Sequence, residues 1–98
     1  MSPTYQRTPR FDADYDRLTP DQRQRFLVAI RRFVKDLNAG RTPRPGLRVK
    51  TVQGEPGVLE LTFSPNGRAT FEFGAELRPG QRHVIWRRVG THDVLDQP

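Results

Sequence analysis

The stretch VLELTFSPNGRATFEF, residues 58–73, decides the fold. Leu59, Leu61 and Phe63 alternate with Val58, Glu60 and Thr62; after SPNG, Ala69, Phe71 and Phe73 alternate with Arg68, Thr70 and Glu72. A period of two sends successive side chains to opposite faces, so each run reads as a strand with one apolar face. The Asn66-Gly67 pair between them is a strong hairpin signal.

The pattern continues on both sides. Upstream, Leu47, Val49 and Thr51 alternate with Arg48, Lys50 and Val52, which predicts another strand joined through QGEPG, residues 53–57. The preceding RTPRPG, residues 41–46, reads as a loop without regular structure, because each proline removes a donor and restricts its predecessor. Downstream, residues 74–81 contain Pro79-Gly80 and read as a longer loop into RHVIWRRVGTHDVL, residues 82–95. There Val84, Ile85 and Trp86 predict a strand buried in the middle of the sheet, with Trp86 in the core and His83 structural or at the surface. Gly90 breaks the strand, and Thr91, His92 and Asp93 follow it, where loops on a rigid scaffold carry function.

The amino-terminal part is helical. Residues 4–7 form a short first strand, and Thr8-Pro9 reads as an N-cap with proline at the first helical position. Phe11, Tyr15 and Leu18 then share one stripe. Thr19-Pro20 with Gln22 completes a capping box, and Phe26, Leu27, Ile30, Phe33, Val34 and Leu37 form a wide apolar stripe ended by Asn38 and Gly40. Helices followed by strands predict an α+β fold: two antiparallel helices on one face of a small, mainly antiparallel sheet. Leu47, Val49, Leu59, Leu61, Phe63, Ala69, Phe71 and Phe73 meet the helices; Arg48, Lys50, Glu60, Thr62, Arg68, Thr70 and Glu72 are left on an open face. Of Arg87 and Arg88, parity sends one to each side, and Arg88 is taken as the residue facing the site.

At 98 residues the chain reads as one domain, 1–98, with 1–4 and 96–98 flexible. Net charge is +6 and fifteen of the seventeen basic residues are arginine. Guanidinium forks pair with phosphate and stack on bases, which points to nucleic acid or an acidic protein; general solubility or a coding bias accounts for the same excess. The Arg31, Arg32 and Lys35 patch reads as a solvated helix face or a second contact surface. Cysteine is absent, so disulfides and thiolate zinc sites are excluded, and two histidines cannot close a structural metal site; neither metal nor cofactor is expected. No run approaches the ~18 apolar residues of a membrane span, so a cytoplasmic protein without a membrane partner is expected.

The order of elements, GLRVK, the GEPG turn before VLEL, GRATFEF and VIWRRVGTHDVL together resemble the RelE/ParE superfamily of bacterial type II toxin-antitoxin toxins, over about residues 5–95. The resemblance implies a compact toxin neutralised by a cognate antitoxin that docks through an amphipathic helix or strand. The RelE branch cleaves mRNA on the ribosome, whereas the ParE branch targets DNA gyrase and cuts no bond. A non-toxic RNA- or protein-binding relative is a third possibility. For the nuclease branch, metal-free cleavage needs proton transfers and stabilisation of charge on phosphorus, for which histidine and arginine are suited. The resemblance makes His92 the catalytic acid or base and Arg68 and Arg88 the phosphate ligands. Arg48, Lys50 and Arg87 would hold RNA, and Glu60 and Asp93 would be accessory. Glu60 and Thr62 stand where some family nucleases carry lysines or a second histidine, which leaves the mechanism open.

Overall fold

The computed structural model describes residues 3–98. The chain forms β1 (Thr4–Arg7), α1 (Pro9–Arg17), α2 (Pro20–Asn38), a 3₁₀ turn (Pro45–Leu47), β2 (Lys50–Thr51), β3 (Leu59–Thr62), β4 (Gly67–Arg78), β5 (Gln81–Thr91) and a 3₁₀ segment (His92–Asp96). One sheet runs in the order β1-β5-β4-β3-β2, with only the β1–β5 pair parallel. This is the α+β arrangement expected from the sequence. No helix among the described residues is long and apolar enough to cross a membrane.

Both helix starts follow from local chemistry. Thr8 Oγ1 accepts from the Phe11 N–H at 3.2 Å. Thr19 Oγ1 accepts from the Gln22 N–H at 3.1 Å while the Thr19 N–H donates to Gln22 Oε1 at 2.8 Å. Each cap is worth about 1 kcal/mol. Because Leu18 is extended between them, α2 doubles back and Phe26 meets the Phe11 ring, centroids 5.9 Å apart. Trp86 is the hub of the core: its ring lies 5.3 to 6.0 Å from those of Phe71, Phe26, Phe33 and Phe11. All eight residues assigned to the helix side belong to this cluster or pack against it. Leu27, on the flank of the α2 stripe, stays 40% exposed, so the line that meets the sheet is Phe26, Ala29 and Phe33.

The same line ends in a charge. Asp36, one turn after Phe33, is buried and takes Arg44 Nε at 2.9 Å, Arg44 Nη2 at 2.8 Å and the Arg44 N–H at 2.9 Å. Hydrogen bonds from the Arg44 side chain, and then from its backbone, hold the Asp36 carboxyl down to about 2, while the pair raises Arg44. This anchor fixes the loop ahead of Pro45.

Several sequence expectations need correction. The loop at 41–46 is not wholly irregular, since Pro45 starts a 3₁₀ turn. That turn ends with Arg48 in the left-handed region (φ 49°), so the strand expected over 47–52 shrinks to Lys50–Thr51, although Leu47 remains buried. Residues 74–81 are no loop: β4 and β5 continue as a two-stranded ribbon to a turn at Pro79-Gly80, where Gly80 has φ 83°. Backbone pairing sustains this ribbon, and Leu77 on it is 69% exposed. The hairpin at 64–67 does form, but its glycine is there for space. A Cβ on Gly67 would come within 2.5 Å of the Phe63 ring.

Nor is the second face open. Residues 96–98, expected to be loose, pack on it: Pro98 is buried, and its main-chain oxygen accepts from Thr70 Oγ1 at 3.1 Å and Arg87 Nε at 3.0 Å. Of the expected flexible segment 1–4, residues 1 and 2 lie outside the described residues, and Thr4 begins β1.

Candidate functional site

Strand register places the candidate residues. Lys50, Glu60, Thr70 and Arg88 are successive partners across β2, β3, β4 and β5. Glu60 is buried with Lys50 Nζ 4.0 Å from its Oε1, and Thr70 is fully buried. One row further, Thr62 pairs with Arg68 and Arg68 with Gly90.

On the other side of the Thr70 row the β4–β5 register slips: Thr70 opposes Arg88 but Phe71 opposes Trp86, so Arg87 is the extra residue of a bulge. Bulges re-aim side chains. Arg87 turns to the face away from the helices, where Nη1 meets Glu72 Oε2 at 2.7 Å and Nε reaches Pro98. Arg88, opposite Thr70, reaches round the free edge of β5: Nε meets Asp14 Oδ2 at 2.6 Å and Nη2 meets Oδ1 at 3.2 Å, while Nη1 donates to the Gln97 main-chain oxygen at 3.0 Å. The expected split, one arginine to each side, is therefore corrected: both reach the carboxyl-terminal segment on the face away from the helices, Arg87 at Pro98 and Arg88 at Gln97, and each is also paired with a carboxylate. The topology supplies the cause. β1 ends at Arg7, opposite Trp86, so the outer edge of β5 beyond that point has no neighbouring strand. Asp14 takes its place, also accepting the Val89 N–H at 3.2 Å.

Arg68 Nη1 is held by the carbonyls of Gly67, Ser64 and Pro65 at 2.9 to 3.4 Å. It has no carboxylate within ion-pair range among the described residues. His92 follows Thr91, the β5 partner of Gly67, and its main-chain N–H donates to Asn66 Oδ1 at 3.4 Å. Its imidazole is exposed and has no hydrogen-bond partner among the described residues. The structure thus brings Arg68 and His92 to one end of the sheet, at the 64–67 hairpin. Asp93 is exposed and lines a cleft with Arg17 and Arg88; no hydrogen bond ties it to His92. Lys50 stays on the sheet, but Arg48 leaves it at the 3₁₀ turn and does not join the row it was expected to share.

His83 is structural, buried between Thr4 Oγ1 and Gln6 Oε1, each at 2.8 Å. Sequence reasoning missed the Asp14–Arg88 and Asp36–Arg44 pairs and the role of Thr70. Helical spacing carried a signal for both aspartates, since Asp14 lies three residues after Phe11 and Asp36 three after Phe33, on the buried line of each helix.

No family model matches the sequence, and no curated protein matches it. Solved structures do. The E. coli DinJ-YafQ toxin-antitoxin complex aligns with TM-score 0.71 and 12% identity over 97% of this chain and 98% of that one. The RelB-RelE antitoxin-toxin complex of Methanococcus jannaschii gives TM-score 0.61 and 16% identity over 93% and 94%. The toxin-antitoxin complex RelBE2 of Mycobacterium tuberculosis gives 0.53 and 20% over 93% and 99%. At these identities it is the backbone arrangement that is held in common, from β1 through the final strand: the chain has the fold of the RelE- and YafQ-type toxins.

Proposed function

We propose that this chain is the toxin of a type II toxin-antitoxin system, a metal-independent endoribonuclease that cuts mRNA on the ribosome and is neutralised by a cognate antitoxin. The observation that carries the reading is that Arg68 and His92 both stand against the 64–67 hairpin, at one end of the sheet. With Nη1 held by carbonyls, Arg68 keeps Nε and Nη2 for the scissile phosphate, as a planar fork suited to two of its oxygens. The unpaired His92 imidazole transfers the proton. In this reaction the 2′-oxygen bonds to phosphorus as the 5′-oxygen leaves, giving a cyclic phosphate and a 5′-hydroxyl that takes up the proton. Glu60, beside Lys50 in the adjoining row, is the accessory carboxylate.

A second reading is a ParE-like toxin that binds DNA gyrase and cuts nothing. Arg87 and Arg88 favour it, because each is already paired with a carboxylate, and so does the segment 92–98 lying over the middle of the face.

Cleavage of a defined message by purified protein, with and without translating ribosomes, tests the two. The nuclease reading expects ribosome-dependent cuts that fall by about 100-fold or more in His92→Ala, the usual weight of a proton-transfer group. Intact messages in arrested cells, together with lost DNA supercoiling, would move the gyrase reading to first place.

A further inference from the structure

Charge pairing among the described residues leaves one basic surface without acids. Asp14, Asp36, Glu60 and Glu72 are each committed to Arg88, Arg44, Lys50 and Arg87. Beyond that row, at the hairpin end of β3, a cleft of about 440 Å³ opens between α2, the Pro45–Leu47 turn and the 64–67 hairpin, and no carboxylate lines it. Arg25, Arg32, Arg48 and Arg68 do. Only Arg25 has an acidic partner, Asp21 at 3.0 Å, in a pair whose side chains are 54% and 76% exposed, and such pairs contribute little.

Arg48 adds an independent observation. It is the one non-glycine residue with positive φ among the described residues. Conformations of this kind cost about 1 kcal/mol or more and collect at ligand clamps. Here the conformation takes Arg48 out of the sheet and puts its side chain in the cleft.

We infer that this cleft is a second phosphate-binding track, which grips the backbone of single-stranded RNA on its way to or from the reaction end. The inference rests on the nuclease reading. Arg68 joins the two places, since it lines the cleft and is held by the 64–67 hairpin, whose Asn66 also takes the His92 main-chain N–H. Thr62 and Ser64 add hydroxyl groups along the same wall. Arginine forks match phosphate pairs, and an acid-free recess raises their potential without a competing internal anion.

The test uses His92→Ala protein, so that RNA stays intact, and reads binding of an RNA strand of about 12 nucleotides against salt. With Arg32→Gln and Arg48→Gln added, affinity should fall about 10-fold or more, and the log-log salt slope should become shallower by about 1.4, or about 0.7 per lost phosphate contact. Arg17→Gln with Arg78→Gln removes the same charge elsewhere and should keep the slope. Arg32→Glu alone, at an exposed helix position, should repeat the loss without touching the strained residue. Equal losses in the two double variants would overturn the track, and so would a loss confined to a polyglutamate competitor, which would mark an acidic protein as the occupant. If the slopes separate as expected but the wild-type protein never cuts a message, the track stands and the nuclease reading falls. Ribosome-dependent cleavage with unchanged slopes would overturn the track and leave the nuclease reading in place.

Discussion

On the helix side of the sheet, Ala69, Phe71, Val84, Trp86 and Val89 are buried by apolar and aromatic contact under α1 and α2. On the other side, Glu60 and Thr70 are buried as well, yet their neighbours are Lys50, Arg87 and the chain's own residues 92–98. The first face is non-directional: any close-packed set of the right volume holds it. The second depends on individual hydrogen bonds and charge pairs, so losing one partner leaves another uncompensated.

Mutations can test this contrast. Trp86→Ala should cost about 3–5 kcal/mol in denaturant unfolding, as for a large aromatic removed from a core, because four rings lose their common neighbour. A cost near 1 kcal/mol would mean that the helices close over the gap and that the core is not organised around this ring.

Removing Asp14 or Arg88 alone should cost about 3 kcal/mol, since the pair is only 8% and 17% exposed and the survivor is left as a buried charge. The double replacement Asp14→Leu with Arg88→Met should recover most of that loss. If Arg88→Ala instead leaves stability intact and abolishes cleavage, the arginine belongs to the reaction and its pairing with Asp14 is incidental.

Acid gives the smallest effect and comes from Asp36, the charged position on the buried line of α2. Asp36 is shifted from an unfolded value of 3.8 to about 2 in the folded chain. Its folded carboxyl releases the proton more readily, so its contribution is complete above 3.8 and is lost as pH falls toward about 2. Melting temperatures measured between those limits should drop in the wild type, and Asp36→Asn should remove that part of the slope. An unchanged slope in the variant would mean that other carboxylates govern the acid limb.

Much of the fold was legible. Thr8 and Thr19 marked both helix starts, and alternation over 58–63 and 68–73 identified β3, β4 and the faces of their side chains. These features are local, because a cap or a two-residue period involves groups a few positions apart. The candidate site was legible in part. The sequence picked out His92 and Arg68 as residue types in a pattern, but the expected split of Arg87 and Arg88 to opposite sides failed because one bulge breaks the parity on which the reading relied.

By itself, then, the sequence determined the element order, the aromatic core and the α+β class, since hydrophobic periodicity and capping are written in neighbouring residues. Tertiary structure alone decided which charges neutralise one another, that residues 92–98 cover the polar face, and that Arg48 leaves the sheet for a cleft without acids. Those outcomes join positions as distant as Asp14 and Arg88, and no local pattern encodes a partner that the chain meets only after it has folded.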